Sequence, residues 1–370
     1  MTDARSETSG GAPRGGGRPE PSTTGVLDLR DAFYVLALVA LVVLVLHQTA
    51  QQLVPIVLAV LIWFLINAIA NGVCQLPVLR AILPQWLSVI LAAVATLAAA
   101  VFGASLAVEN IAELGEGLGE PIRGAILALE TWILDAFGVS LGLDVENWLK
   151  DLKFQDLEKP IRSVTSIAGD FTIILLFVVF LILDQPYFEA KLKALAPDPD
   201  RYDRVRAVLQ KIGRDIRVYI WIMTLISAVI GVATYFIADY FGVRGAAFWG
   251  FLAFALNFIP TIGTFLGVIF PAVFALAELE PVTALGFAAS LGVVQFVMGN
   301  LVLPRLTGDW LNLSEFVVIA SLTIWYAIWG VAGMFLAVPM MMVFMIVLSQ
   351  FDSTRPAAIL LSKTGNIARR

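Results

Sequence analysis

Histidine and cysteine are nearly absent from this chain: His47 and Cys74 are the single copies of each in 370 residues. One cysteine leaves no intramolecular disulfide, and one histidine leaves no HExxH pair or multi-histidine metal site within a chain. Cys74 fits a small apolar side chain at a helix end, and His47 opens a polar stretch, residues 47–52, with the composition of an interfacial turn. Neither reads as functional. Charge is scarce as well, at 14% of residues against 59% hydrophobic, which excludes an ordinary soluble domain. Also missing are a G-x-x-x-x-G-K-[ST] phosphate loop, a GxSxG nucleophile motif and paired aspartates within the apolar runs. An intramembrane enzyme needs a nucleophile and a base at depth, so the chain is not read as one. Any active transport must draw on a gradient or a separate subunit. No cofactor, metal or nucleic-acid partner is expected.

What is present is a series of apolar runs. Runs at 33–46, 53–70, 86–108, 171–183 and 216–237 hold no charged residue apart from Arg217, and further runs lie at 245–276, 282–303 and 316–348. The pattern is that of an all-α polytopic membrane protein with about eight membrane segments. A Gly-, Pro-, Ser- and Arg-rich tail, residues 1–30, cannot bury enough apolar surface to order itself and is expected to be disordered and cytoplasmic. No cleavable signal peptide is expected before the first run, which lacks the short basic region and small-residue cleavage pattern. The expected organisation is three membrane helices in 31–108, an external amphipathic helical segment in 109–170, a fourth membrane helix in 171–184, cytoplasmic amphipathic helices in 185–215, a transport core in 216–350 and a cytoplasmic tail in 351–370.

Two runs are too long for one crossing. Residues 245–276 would reach about 48 Å as a straight helix, against about 30 Å of hydrocarbon core. The centre of that run reads Asn257-Phe258-Ile259-Pro260-Thr261-Ile262-Gly263-Thr264. Pro260 lacks an N–H and clashes with the preceding turn, and Gly263 accepts backbone angles other residues avoid, so peptide groups there lose helical partners. Irregular backbone at membrane depth persists only where protein buries it or where it lines a wet cavity, which makes this segment the leading candidate for a substrate path. The 316–348 run has a similar interruption at Gly330-Val331-Ala332-Gly333, with Pro339 beyond it.

Basic residues orient the chain. Lys191, Lys193, Arg201, Arg204, Arg206, Lys211, Arg214 and Arg217 lie within 185–217, whereas 109–170 carries twelve acidic residues against five basic ones. The first segment is cytoplasmic by the positive-inside rule, and Arg-rich flanks place both termini on the same side. Two topologies satisfy this: both overlong runs cross the membrane, or both fold back as re-entrant hairpins. They disagree about the loop at 304–314, which is cytoplasmic only if both runs fold back, and length favours the hairpins.

Other polar clusters have plainer explanations. Glu109, Glu113, Glu116 and Glu120 recur at helical spacing and could suggest cation binding, but Gly115, Gly117 and Gly119 loosen the geometry a metal site needs, and a solvated helix face explains them better. Trp132, Ile133, Phe137, Trp148, Leu149, Leu152 and Phe154 suit an external collar lying along a membrane surface or a neighbouring subunit. In the cytoplasmic segment Pro197-Asp198-Pro199 ends one short helix and frees the next, whose basic face is explained by topology before lipid recognition is invoked.

Two stretches carry a family likeness. Gly242-Val243-Arg244-Gly245-Ala246 leads to Asn257–Thr264 and Pro271, and Asn300-Leu301-Val302-Leu303-Pro304-Arg305-Leu306-Thr307-Gly308 leads to Gly330-Val331-Ala332-Gly333 and Ala337-Val338-Pro339. Together they resemble the signature of the autoinducer-2 exporter family. Thr261 stands where an aromatic is common in that family, and the external segment matches no pattern. The resemblance implies a bacterial inner-membrane, multi-pass transporter, homo-oligomeric with a pentamer as one expected form, some members being associated with autoinducer-2 export and others with sodium–proton antiport.

Residue chemistry separates those two activities. Asp170, Asp184, Asp239, Glu278, Glu280 and Glu315 all sit at run ends, whereas proton-coupled antiporters usually hold an ionisable residue within the membrane. Uncharged donors and acceptors suit a small polar or neutral organic solute, and the expected binding group is Asn257, Pro260, Thr261, Gly263, Thr264, Gln295, Asn300 and Pro304, with Gly330 and Gly333 at the second hairpin's bend. The expected function is export of such a solute, autoinducer-2 being the example, by alternating access across the lipid bilayer. A sodium–proton antiporter and a non-transporting scaffold or signalling protein are the alternatives.

Overall fold

The computed structural model describes residues 29–74, 84–115, 172–307 and 312–366, together with Gly124, Leu127, Thr131, Leu134 and Asp135. The amino-terminal tail, the external collar with its tryptophans and Gly308 lie outside the described residues. Those described are helical apart from short turns and one isolated bridge between Leu313 and Ser362. The helices are α1 (Leu29–Gln48), α2 (Ala50–Cys74), α3 (Gln85–Gly115), α4 (residues 172–184), α5 (Phe188–Leu195) and α6 (Pro199–Phe241). Next come α7 (Ala246–Leu256), α8 (Ile262–Glu278), α9 (Pro281–Phe296), a π-helical turn at Val297–Val302, α10 (Leu303–Thr307), α11 (Glu315–Leu348) and α12 (Arg355–Leu361). Residues up to Leu46 form one unit and the chain from His47 onward another. Among the described residues, five helical stretches are long and apolar enough to cross a membrane, and four shorter apolar helices accompany them.

Punctuation in the sequence sets the ends of α6. Asp198 accepts a hydrogen bond from the Arg201 backbone N–H, Pro199 fills the first helical position, and Gly242 closes the helix at φ 74°. Pro is pre-set for a first turn and Gly accepts the left-handed cap. At 43 residues α6 is roughly 65 Å long, about twice the hydrocarbon thickness. Its polar first half therefore stands outside the apolar layer, with Arg206 paired to Glu189 of α5.

Helix packing in lipid gains little from apolar burial, because the tails are as apolar as leucine, so close approach at small residues decides which helices meet. The clearest case joins α6 to α7. A Cβ on Gly231 would come within 2.8 Å of the Gly250 carbonyl, and one on Gly250 within 2.8 Å of the Gly231 carbonyl. Around that contact Ile226, Ile230 and Ala253 are buried. The ring of Phe251 enters α3 where Gly103 leaves room, its Cζ 2.0 Å from where a Cβ would stand. Outward faces of α4 and α6 keep exposed Leu176, Val179, Phe180, Leu225, Val232 and Phe236.

Both overlong runs fold back on themselves. In the first, α7 and α8 are antiparallel legs: the Trp249 and Phe274 rings lie 5.2 Å apart, although 25 residues of straight helix would separate them by about 37 Å. In the second, α11 breaks at Gly330, which adopts φ 62° and ψ −144°, a conformation that L side chains avoid. The Trp325 and Phe344 rings on either side of the break are 6.3 Å apart, against about 28 Å along a straight helix.

The second hairpin returns to the face it left. Ser314 N–H donates to the Leu361 carbonyl at 3.1 Å, Lys363 N–H donates to the Asn312 carbonyl at 3.0 Å, and Lys363 pairs with Glu315 at 3.2 Å. Residues 312–315, just before α11, thus lie beside the carboxy-terminal segment. Had α11 run straight, its ends would be about 51 Å apart, and a connection that includes α12 could not span the distance back.

Candidate functional site at the broken helices

The first hairpin is built around its bend. Pro260 offers no N–H, so the chain leaves helix at Asn257 and re-enters at Ile262 through a γ-turn in which Ile262 N–H donates to the Pro260 carbonyl at 2.7 Å. Thr261, the central residue, takes φ 64° and ψ −58°, the strained hand of that turn. Such a conformation in a non-glycine residue costs about 1–3 kcal/mol and persists only where surrounding structure imposes it. The legs leave no space beneath it: a Cβ on Gly263 would sit 1.7 Å from the Leu256 carbonyl oxygen.

Beside the bend, Asn257 donates from Nδ2 to the Ser227 Oγ of α6 at 2.9 Å, and both residues are buried. Gln295, buried near the end of α9, approaches α8 where Gly267 makes room, its Nε2 3.3 Å from where a Cβ would stand. Three uncharged polar side chains are thus buried against the first hairpin, Ser227 of α6 bonded to Asn257 at the bend and Gln295 of α9 beside Gly267. Its open end is clasped. Arg244 donates from its backbone N–H to Glu278 Oε2 at 2.9 Å and from Nε to Oε1, and the Trp249 indole N–H donates to the Arg244 carbonyl.

Beyond Gln295 the helix widens into the π turn at Val297–Val302. Pro304, just beyond it, has no N–H to give the preceding turn and would clash with the carbonyl of residue 300, so one extra residue is accommodated there. Leu303 N–H accordingly reaches back to the Met298 carbonyl. Asn300 is exposed and donates to the Phe296 carbonyl of its own helix at 3.2 Å.

The expected site residues therefore fall into two sets. Asn257, Gly263 and Gln295 are buried around the first hairpin; Pro260 and Thr264 are half-buried there, and Thr261 is exposed at the bend. Asn300 and Pro304 are exposed on the π turn and its continuation. Gly330 and Gly333 occupy the second bend, where a Cβ on Gly333 would stand 2.0 Å from the Trp325 carbonyl oxygen. The two hairpins share one apolar cluster: Phe258 of the first bend joins Val338 and Met342 of the second hairpin's returning leg, packed on Ile216, Tyr219 and Ile220 of α6.

The model of the AI-2E family transporter matches residues 33–352. The chain belongs to the AI-2E transporter family. Among relatives, the AI-2 transport protein TqsA of Escherichia coli is 26% identical over 332 residues, 89% of this chain and 94% of that protein. A putative transport protein of Haemophilus influenzae is 25% identical over 90% of this chain and 97% of its own length. The putative transport protein YhhT of Escherichia coli is 27% identical over 87% of this chain and 90% of its own length. Membership makes the molecule a bacterial multi-pass membrane protein of a transport family, with a solute and the lipid bilayer as its partners.

Within this AI-2E transporter, sequence reading missed three groups. Ser227 had no local signal, because its role rests on Asn257, thirty residues away. The Arg244–Glu278 clasp joins residues 34 apart, visible beforehand only as a carboxylate at a run end. His47, read as part of an interfacial turn, donates from Nδ1 to the Ile328 carbonyl at 3.0 Å. That carbonyl belongs to the last turn before the Gly330 break, where helix carbonyls lose their N–H partners.

Proposed function

We propose that this chain is a secondary transporter that exports a small neutral or weakly polar organic solute of the autoinducer-2 type by alternating access. The observation that carries the reading is the first hairpin, whose strained bend and buried Asn257–Ser227 pair bring uncharged hydrogen-bonding groups and broken backbone together. Discontinuous helices of this kind are where membrane transporters hold their solutes. Amide and hydroxyl groups match a polyhydroxylated neutral solute, offering both donors and acceptors. The name of the Escherichia coli relative, an AI-2 transport protein, supports the same class of cargo.

The accompanying topology has six crossings, α1 to α4, α6 and α9, and two re-entrant hairpins entering from opposite faces, with both termini cytoplasmic. Such an arrangement lets one hairpin gate each side of a shared path. A sodium–proton exchange gains no support from the described residues, since their acidic side chains sit towards helix ends or, like Asp203 and Asp215, on the polar first half of α6, and nothing in the fold favours a scaffold without transport. In proteoliposomes the purified protein should carry labelled autoinducer-2, and Asn257→Ala and Asn300→Ala should lower rate or affinity. Undiminished flux in both variants would remove the assigned site. Flux of sodium or protons without autoinducer-2 movement would remove the assigned cargo.

A further inference from the structure

We infer that the Tyr219 hydroxyl is a solute-contacting group of the transport path, shut off in this conformation. Resting on the transport reading above, the inference adds a residue from the centre of α6 that neither bend supplies. Tyr219 is 6% exposed, and its hydroxyl oxygen is fully buried with no hydrogen-bond partner among the described residues. Buried hydroxyls almost always have partners, and each exception calls for an explanation. A core that needed only the ring would be better served by phenylalanine, which has the same shape without the penalty of an unpaired donor and acceptor.

The surroundings supply the explanation. Tyr219 packs in a cluster with Met223 of its own helix, Phe258 at the first bend, Val338 and Met342 on the second hairpin's returning leg, and Leu303 after the π turn. Segments next to three separate breaks in helical structure thus contribute to the cluster that holds this tyrosine. The thioethers of Met223 and Met342 are at most weak acceptors, and the other side chains named have no polar atom to bond a hydroxyl. A displacement of the first bend or of the returning leg that opens this cluster would expose an oxygen that both donates and accepts, the chemistry a polyhydroxylated neutral solute requires. In the closed arrangement the same oxygen is stranded, which penalises the closed state and favours reopening.

Two measurements test this. In proteoliposomes carrying labelled autoinducer-2, Tyr219→Phe should raise the apparent KM about 3- to 10-fold, the worth of one hydrogen bond, while the melting temperature stays level or rises. An unchanged KM, with or without a higher melting temperature, would overturn the inference. Independently of any solute, Tyr219→Cys in a Cys74→Ala background should react with a water-soluble methanethiosulfonate in membranes faster than Ile220→Cys, a neighbour that is 1% exposed. Equal reactivity in protein shown to be folded by gel filtration would overturn it as well. If the wild type carries no autoinducer-2, the cargo assignment fails by itself, and the labelling comparison decides the role of Tyr219.

Discussion

At the scale of single residues, the bends hold conformations and bonds that cost free energy, which makes their contributions measurable. Thr261 is held in a γ-turn that glycine would adopt freely. Thr261→Gly should therefore raise stability by roughly 1 kcal/mol, whereas Thr261→Val should bring no such gain, because valine shares threonine's branched Cβ and its intolerance of positive φ; thermal unfolding in detergent reads both. The Asn257–Ser227 bond is buried on both sides. Each single alanine variant should lose about 1–3 kcal/mol by stranding the other partner, and the double variant should lose less than the sum. Additive losses in that cycle would mean the two side chains do not depend on each other. Gly330→Ala should cost about 1–3 kcal/mol, from its φ 62° and ψ −144° backbone alone.

At the scale of elements, the first hairpin is a closed unit. The Arg244–Glu278 clasp joins the outer ends of α7 and α8, and Trp249 ties the clasp to the leg it starts. Glu278 has a side chain 10% exposed while Arg244 is 80% exposed, so water screens the arginine far more than the glutamate. On the order of 1–2 kcal/mol is the expected loss on Arg244→Ala once that screening is discounted. Hydrogen exchange should accelerate across residues 246–278 in this variant and in Glu278→Gln. The exchanged pair Arg244→Glu with Glu278→Arg should recover part of the protection; no recovery would show that the arginine's geometry, rather than charge, holds the legs. The π turn behaves as a second local device. Pro304→Ala restores an N–H, so Val297–Val302 should tighten toward α-helix, with stronger exchange protection there.

At the scale of the whole molecule, the charge distribution alone leaves open whether the overlong runs cross or return. Backbone bonds join Ser314 to Leu361 and Asn312 to Lys363, so residues 312–314 lie beside the carboxy-terminal segment, and the proposed topology puts Thr307 on that side too. Thr307→Cys in a Cys74→Ala background should therefore be labelled by an impermeant thiol reagent from the same side as a carboxy-terminal tag. Labelling from the opposite side would reverse the proposed topology.

Hydropathy and charge are properties of local sequence, which is why they sufficed for the membrane class, the two interruptions and the uncharged character of the bends. Pro260 and Gly330 announce a break wherever they stand in an apolar run, because a missing N–H and a missing Cβ act on the residue's own backbone. The path of the chain after a break is not a local property. A chain that leaves helix at Asn257 can continue across the bilayer or turn back, and the choice rests on Trp249 meeting Phe274 and Arg244 meeting Glu278, contacts between residues 25 and 34 apart. Ser227, His47 and the stranded hydroxyl of Tyr219 have meaning only through such distant partners or the lack of one among the described residues. The sequence by itself determined where the helices fail; tertiary packing decided which groups meet at each failure, since bonding and burial are set by neighbours in space.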